Sequence, residues 1–174
     1  MKNFILVEDN LLTKNECDNV IKYFLCNREI KKCEDRVGYY YADHYSYQEI
    51  DHNLSPLLKS IKSLRDNYIK IYPESKWTSN DWDLPSLRFK WWKPGDYYKD
   101  WHSEHNLSRP NMILGFMIYL SNNDCSTEFY RYGSCKTKLG RGIMFPTFFT
   151  HTHRGSPCKK GLDRYAISGY YYLI

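Results

Sequence analysis

The sequence contains no long hydrophobic run. None of its apolar stretches approaches the roughly 20 residues that a membrane-spanning helix needs. The first apolar run lies within MKNFILVEDN, and Glu8 and Asp9 interrupt it before it reaches the length of a secretion signal. We therefore expect a cytoplasmic protein with no membrane partner.

Cysteine pairs at metal-binding spacing are also missing. The six cysteines form no C-x-x-C pair and no other zinc-like spacing, so in a reducing compartment we expect free thiols. The chain also lacks an internal repeat, a low-complexity tract and a linker, and its 174 residues are therefore expected to form a single domain. A net charge of +5 permits an acidic partner without requiring one.

Two amphipathic helices are predicted in residues 1–73. Thr13 and Glu16 form a capping box, and apolar residues at helical spacing follow it as far as about Asn27. The pair Ser55-Pro56 combines a capping oxygen with a proline suited to the first helical position. The apolar stripe behind this pair predicts a second helix that ends near Ile71.

Strands are predicted to dominate from residue 86 onward, where the apolar period changes from 3.6 to 2. The predicted strands cover 87–92, 98–104, 112–120, 127–131, 136–139, 142–145, 149–153 and 164–173. Two helices followed by about eight strands favour an α+β fold with a sheet sandwich or barrel. Residues 31–52 are expected to be irregular apart from one strand. They are a candidate substrate-facing flap, and a tyrosine-rich surface loop is the alternative.

Candidate metal ligands occur in two places. In a strand His102 and Glu104 share a face, and a distant histidine would complete the 2-His-1-carboxylate set typical of non-haem Fe(II) oxygenases. Alternation also allows Asp100 with His102 to supply the same ligand types. The distant ligand is His151 or His153, which share a face as well. Taken alone, the H-x-E match means little, and a neutral histidine with a structural role is the favoured interpretation.

Several short motifs stand in a particular order along the chain. They are FILVEDNLLTKNECDNVI (4–21), KPGDYYKDWHSE (93–104), MIYLSN (117–122), STEFYR (126–131), and finally an FP, H-x-G-x-P, R-Y-x-I-S series beginning at residue 145. Their order resembles that of the Fe(II)/2-oxoglutarate dioxygenases of the prolyl 4-hydroxylase type, whose small single-domain versions are encoded by bacteria and their viruses. This resemblance covers most of the chain. It implies a double-stranded β-helix (jelly-roll, cupin-like) core at 86–174, with the helices of 1–73 packed on one sheet.

The resemblance also implies the metal ligands. The family order places a histidine first and its carboxylate two residues later, which selects His102 and Glu104 over Asp100. The family usually has aspartate where this chain has Glu104, and the extra methylene lengthens the reach of the carboxylate. The H-x-G-x-P pattern fits a start at His153 and not at His151, which is then a polar neighbour with its hydrogen bonds satisfied.

The 2-oxoglutarate contacts follow from the same resemblance. Arg164 lies eleven residues beyond His153, close to the family's spacing for the cation that holds the distal carboxylate, and its planar fork suits a carboxylate. Ser168 shares the strand face of Arg164 and adds a hydroxyl donor. Trp92 and Tyr98 stand where relatives have aromatics lining the cosubstrate pocket. The alternatives are a solubility role for Arg164 at a sheet edge and ordinary core packing for the two aromatics.

The function implied is hydroxylation of a C–H bond with Fe(II), 2-oxoglutarate and O2, giving succinate and CO2, with ascorbate as a further candidate cofactor. The substrate suggested is a prolyl or other peptidyl residue of a protein, or a small molecule. One alternative is an AlkB-type nucleic-acid demethylase, but that group carries a second arginine where this chain has Tyr170. The others are a non-catalytic module and a zinc-binding protein on the same fold.

Two aromatic segments, Tyr39–Tyr47 and Trp77–Trp82, are expected to border the iron pocket, because active-site residues commonly lie on loops over a rigid scaffold. The remaining histidines are not expected to take part. His105 lies on the opposite face from Glu104 and is interpreted as structural. His44 and His52 fall in the segment expected to be irregular.

Overall fold

The computed structural model describes residues 3–33, 38–45, 54–77, 81–158 and 161–174. Within these ranges it contains two α-helices, two short 3₁₀ helices and eleven strands. The elements in chain order are β1 (Leu6–Glu8), α1 (Lys14–Asn27), β2 (Lys31–Lys32), β3 (Tyr40–Tyr45), α2 (Ser55–Ile71), a 3₁₀ helix (Pro73–Trp77), β4 (Trp82–Asp83), β5 (Ser86–Trp92), β6 (Met112–Tyr119), β7 (Ser126–Phe129), β8 (Gly133–Lys136), β9 (Gly142–Pro146), a second 3₁₀ helix (Phe149–His151), β10 (His153–Gly155) and β11 (Arg164–Leu173).

Helix α1 begins at the predicted capping box. The Thr13 hydroxyl accepts a hydrogen bond from the Glu16 amide at 3.3 Å, and the Glu16 carboxylate accepts one from the Thr13 amide at 2.8 Å. Two of the amides that a helix start leaves without partners are thereby satisfied. The helix ends at Asn27, as predicted.

Helix α2 has the predicted bounds, but the predicted cap is wrong. Leu54 occupies the capping position and makes no side-chain capping hydrogen bond, while Ser55 is already helical. Leu54 is fully buried, so apolar packing together with the fixed φ of Pro56 sets the start of the helix. Within the described residues neither helix is both long and apolar enough to cross a membrane.

Two antiparallel sheets form the rest of the protein. The large sheet has the strand order β1-β9-β6-β11-β5-β3-β2, and β4 pairs with the end of β11. The small sheet has the order β10-β7-β8. Strands β5 and β6 lie in the large sheet, β7 and β8 in the small sheet, β9 in the large, β10 in the small and β11 in the large. The chain thus passes back and forth between the two sheets, as in a double-stranded β-helix. The α+β fold class with a jelly-roll core is confirmed.

The main hydrophobic core lies between the helices and one face of the large sheet. Phe24 of α1 stacks on Phe89 of β5 with ring centroids 5.0 Å apart, and both side chains are fully buried. Further members of this core are Leu57, Ile61 and Leu64 of α2, Phe116 and Ile118 of β6, and Ile167 and Tyr171 of β11. A second cluster lies on the other face of the sheet and includes Trp92, Tyr119, Phe129, Phe145 and Ala166. The second cluster therefore lies inside the jelly roll, between the two sheets.

Segment 31–52 is more regular than the sequence predicts. Its described part contains β2 and β3, and β3 pairs with β5 over six residues, from Tyr40↔Trp91 to Tyr45↔Ser86. The sequence of this strand shows no clear apolar alternation, because one of its faces lines a polar groove and carries charged and aromatic residues. Residues 46–53, which include the end of the predicted flap and His52, lie outside the described residues.

Candidate metal centre and cosubstrate pocket

The strand predicted at 98–104, which would hold His102 and Glu104, is not formed. The chain is irregular there, and only His102 is paired, in an isolated bridge to His153. The His102 amide donates to the His153 carbonyl at 3.0 Å, and the reverse bond is 2.9 Å long. The nearby Pro94-Gly95 turn, with Gly95 at φ +87°, ends the regular pairing of β5. The backbone bridge, not strand alternation, brings the two histidines together.

The predicted strand at 149–153 is also shorter than expected. Residues Phe149–His151 form a 3₁₀ helix, and β10 begins at His153. His151 therefore does not share the orientation of His153. Its Nε2 bonds to the Asn3 carbonyl at 2.8 Å, and its Nδ1 lies 2.9 Å from the Thr150 hydroxyl.

Three side chains form a compact group of potential metal ligands. His102, Glu104 and His153 each offer a ligand atom, and these atoms lie within 4.8 Å of one another. The Glu104 Oε1 is 3.4 Å from His102 Nε2 and 3.8 Å from His153 Nε2. Both Nδ1 atoms face backbone carbonyls at 3.0 Å, those of Asp100 and His151. Because a carbonyl only accepts, each Nδ1 carries the proton and each Nε2 lone pair points toward the centre.

The electrostatics of the group favour the ionisation states that bind a metal. Burial raises the pKa of the Glu104 carboxyl, but the contact with the His102 ring and the positive charge of Lys90 outweigh burial and lower that pKa to about 2. Burial, aided by repulsion from His102, lowers the pKa of His153 to about 4. A carboxylate and a neutral imidazole are the forms required of metal ligands.

The competing candidates lie elsewhere. Asp100 is exposed and is not part of the ligand group. The His105 Nδ1 faces the Met112 carbonyl at 3.2 Å, and its ring packs on Phe148. His44 is buried on β3 beside the Tyr23 ring, on the helix side of the sheet.

Arg164 lies on the inner face of β11 with Ala166 and Ser168, as the alternation predicts. It is only 2% exposed, and its guanidinium carbon lies 4.6 Å from the ring centre of Trp92. One terminal nitrogen donates to the Thr127 hydroxyl at 3.4 Å, while Nε has no hydrogen-bond partner among the described residues. No carboxylate of the described chain forms a salt bridge with it. A buried guanidinium without a counterion is costly, so the site fits an anionic ligand.

The other predicted cosubstrate residues line the same pocket. Ser168 is buried, and its hydroxyl has no partner within the described part of the chain. Trp92 is 3% exposed and covers the Arg164 guanidinium. The Tyr98 ring centre is 3.9 Å from that of His102. All three contribute to a pocket that also contains the three potential metal ligands.

Gly155, the glycine of the H-x-G-x-P pattern, allows the Tyr98 segment to approach β10. Its amide donates to the Tyr98 carbonyl at 2.7 Å. A Cβ at position 155 would come within 3.2 Å of the Tyr98 amide nitrogen, which is closer than nine in ten real Cβ contacts. A side chain here would require the Tyr98 backbone to shift by a few tenths of an ångström.

Two polar residues of the pocket were not singled out from the sequence. Lys90 lies on the inner face of β5, and Tyr170 lies two residues beyond Ser168 on β11. Burial lowers the pKa of Lys90 to about 8, against the opposing effect of the Glu104 carboxylate. Burial and the nearby Glu104 carboxylate raise the pKa of Tyr170 well above its usual value. The alternation of Arg88, Lys90 and Trp92 in the sequence places Lys90 on one face of β5, but it does not show that this face is the inner one.

An outer groove of about 590 Å³ adjoins the pocket. Tyr39, Tyr41 and Asp43 border it, so the described part of the predicted aromatic segment Tyr39–Tyr47 does lie at the site. The same prediction is wrong for the described part of the second segment, of which residues 78–80 lie outside the described ranges. Trp82 packs against Tyr171 on the helix side of the sheet, with ring centroids 6.0 Å apart, because β4 pairs with the far end of β11.

No family model matches the chain, and no curated protein matches it. Solved structures do match over nearly its whole length. A viral collagen prolyl hydroxylase from Paramecium Bursaria Chlorella virus-1, in a complex with 2OG, is 16% identical with a TM-score of 0.71, and the match covers 98% of this chain and 97% of that one. A prolyl-4-hydroxylase from Pseudomonas putida is 14% identical with a TM-score of 0.73, covering 98% and 92% of the two chains.

A third similar structure is a prolyl hydroxylase from Trichoplax adhaerens in complex with a peptide fragment of the hypoxia inducible factor oxygen degradation domain. It is 14% identical, with a TM-score of 0.67 and coverage of 98% of this chain and 84% of that one. At these identities the likeness establishes the shared fold.

Proposed function

We propose that this protein is an Fe(II)- and 2-oxoglutarate-dependent oxygenase that hydroxylates a C–H bond. The observation that carries the proposal is Arg164, a buried cation with no carboxylate partner in the described chain, facing the pocket that holds His102, Glu104 and His153. A metal-binding protein without an anionic cosubstrate would gain nothing from this buried charge, which is costly to retain.

The ligand group fits Fe(II). Two imidazoles and one carboxylate form the facial set of non-haem iron oxygenases and leave coordination positions open. The Nδ1–H bonds of His102 and His153 to backbone carbonyls fix the ring orientation and the tautomer before any metal binds. When bound, iron would supply the redox chemistry that couples the conversion of 2-oxoglutarate to succinate and CO2 with hydroxylation of the substrate.

Arg164 and Ser168 would hold the distal carboxylate of 2-oxoglutarate. The free Nε–H of Arg164 and the free hydroxyl of Ser168 are donors that such a carboxylate would satisfy. Thr127 helps to fix the guanidinium from the small sheet. The rings of Trp92 and Tyr119 lie 4.6 and 5.4 Å from the guanidinium carbon and exclude water from this end of the pocket.

The substrate proposed is a prolyl or other peptidyl residue. The support is the open groove beside the metal ligands and the fold shared with prolyl hydroxylases, one of them in complex with a peptide. The nucleic-acid alternative is less well supported, because Tyr170 stands where AlkB-type demethylases carry a second arginine. The tyrosine hydroxyl lies near Glu104 and cannot replace a guanidinium as an anion ligand.

The zinc-binding and non-catalytic alternatives are separated from the oxygenase by 2-oxoglutarate. The first measurement is calorimetric titration of 2-oxoglutarate into the Mn(II)-loaded protein without oxygen. The second is succinate formation with Fe(II), O2 and ascorbate, measured by mass spectrometry. We expect binding and turnover in the wild type. The matched controls are the Zn(II)-loaded protein and the Glu104→Gln variant, both of which should give no succinate. Absence of 2-oxoglutarate binding to the wild type would refute the proposal.

A further inference from the structure

Lys90 is a cation placed between two cavities. Together with Tyr39, Tyr98, Ser168 and Tyr170, it lines both the inner pocket that contains Arg164 and the outer groove. These shared residues form the passage that joins the two spaces beside the metal ligands. The potential metal ligands His102 and Glu104 line both spaces as well, so a molecule in the outer groove lies beside both the ligand group and the Lys90 ammonium.

Lys90 has no paired carboxylate among the described residues, although the Glu104 carboxylate of the ligand group acts on it electrostatically. It makes no salt bridge or hydrogen bond with them, and its closest aromatic contact is the Tyr39 ring, whose centre is 5.7 Å from Nζ. Two neighbouring arginines are paired, whereas Arg164 and the groove residue Arg109 form no salt bridge with the described residues. Arg88 donates to Asp43 through two nitrogens, and Arg154 donates to Glu128 at 2.8 Å.

The proposed function accounts for every charge in the centre except that of Lys90. A divalent metal, the Glu104 carboxylate, the Arg164 guanidinium and the 2-oxoglutarate dianion together carry no net charge. The loaded centre is therefore electrically balanced before Lys90 is counted. A further ammonium at the same partly buried place is uncompensated, and an uncompensated charge away from water is costly. The cost of burying the Lys90 ammonium is offset if a further anion binds beside it.

We propose that Lys90 binds a carboxylate carried by the substrate, so that the substrate class is acidic. The inference rests on the proposed function, since it assigns 2-oxoglutarate to Arg164 and leaves the outer groove to the substrate. The carboxylate enters through the groove bordered by Tyr41 and Tyr172 and stops at Lys90. The reacting C–H bond then lies on the same molecule, held beside the metal ligands. An acidic substrate also suits the net charge of +5.

The test uses two probes that differ by one charge, N-acetyl-L-glutamate α-methylamide and N-acetyl-L-glutamine α-methylamide. Each is titrated by calorimetry into the full-length protein that is already loaded with Mn(II) and 2-oxoglutarate, without oxygen. A charge-assisted hydrogen bond contributes about 1.5–3 kcal/mol. The wild type should therefore bind the acid roughly ten- to a hundredfold more tightly than the amide.

Two variants and one control assign this preference to Lys90. Lys90→Gln should abolish the preference, and Lys90→Glu should favour the cationic probe N-acetyl-L-lysine α-methylamide. Lys93→Gln is the matched control, because Lys93 is exposed and lies over the rings of Tyr40 and Trp91, and it should keep the wild-type preference. Circular dichroism checks that each variant is folded.

The outcomes separate this inference from the proposed function. If the wild type does not take up 2-oxoglutarate at all, the proposed function fails. If it takes up 2-oxoglutarate but binds the acid and the amide equally, or neither, only the role of Lys90 is refuted. If Lys90→Gln instead loses 2-oxoglutarate, the lysine belongs to the cosubstrate pocket and the acidic substrate class is refuted.

Discussion

On strand β11, Ile167 and Tyr171 face the two helices, whereas Arg164, Ser168 and Tyr170 face the small sheet. Both sets are buried or nearly so, and they alternate along one continuous strand. On the helix side, apolar atoms contact apolar atoms, and burial of Ile167 is complete. On the inner side, the Arg164 Nε and the Ser168 hydroxyl have no partner among the described residues.

The difference shows that the buried apolar groups of the helix face stabilise the fold, whereas the unpartnered polar groups of the inner face destabilise it. Burying apolar surface against the helices contributes about 25 cal/mol per Å². A buried polar group without a partner costs about 1–3 kcal/mol. The stabilisation from apolar burial on the helix side therefore has to offset the cost of the unpartnered polar groups on the inner side. Changes on the two faces should accordingly affect different measurements.

The largest effect is expected from His153→Ala. Removing one of two imidazoles from a three-ligand group should abolish Mn(II) or Fe(II) binding, measured by calorimetry or electron paramagnetic resonance. His151→Ala and His105→Ala are the controls, because both side chains bond to the backbone away from the centre. Loss of metal from His105→Ala with His153→Ala harmless would overturn the ligand assignment.

Next in size is Ile167→Ala, which acts on the helix side alone. The side chain is fully buried, and an isoleucine-to-alanine change in a core costs about 2–5 kcal/mol in the free energy of unfolding. Urea unfolding should show this loss. The folded fraction should still bind Mn(II) and 2-oxoglutarate with near wild-type affinity. A large loss of affinity in folded protein would mean that the two faces are not independent.

Arg164→Ala should have the reverse signature. Losing a charge-assisted bond of about 1.5–3 kcal/mol should weaken 2-oxoglutarate binding roughly ten- to a hundredfold. Metal binding should remain nearly intact, and the unliganded protein should lose little stability because the removed charge was uncompensated. Arg154→Ala, which breaks the salt bridge with Glu128, should weaken 2-oxoglutarate binding less than Arg164→Ala does. Unchanged 2-oxoglutarate affinity in Arg164→Ala would refute the cosubstrate assignment.

The smallest effect is expected from Ser168→Ala, the neighbour of Ile167 on the opposite face. Deleting one neutral hydrogen-bond donor should weaken 2-oxoglutarate binding by about 0.5–1.5 kcal/mol. Unfolding of the unliganded protein should be unchanged or slightly harder, because a buried hydroxyl without a partner is removed. A marked loss of stability would show that the hydroxyl has a structural role.

Parts of the fold that depend on local pattern were predictable. The capping box of α1, the bounds of α2 and the long strand β11 all follow from spacing along the chain. The segments at 98–104 and 149–153 were predicted as strands and are not. Their shape depends on a backbone bridge between residues far apart in sequence, and on the turn that follows β5.

The residues of the candidate site that belong to sequence motifs were predictable. Those whose place in the site depends on which face of a strand points inward were not. The resemblance named His102, Glu104, His153 and Arg164, and the structure brings all four to one pocket. Lys90 was missed because alternation shows that two faces exist without showing which one is inner. Only the packing of the helices on Phe89 and its neighbours decides that.

The two ends of the large sheet have a consequence for self-association. In the described chain the sheet ends in β2, whose two residues, Lys31 and Lys32, are both exposed. The other end is β1, which is only three residues long. An unpaired edge is a template on which another molecule adds a strand, and short strands or lysine charges block such addition. The short length of both edge strands and the lysine charges of β2 therefore disfavour strand addition at the two ends of the described sheet.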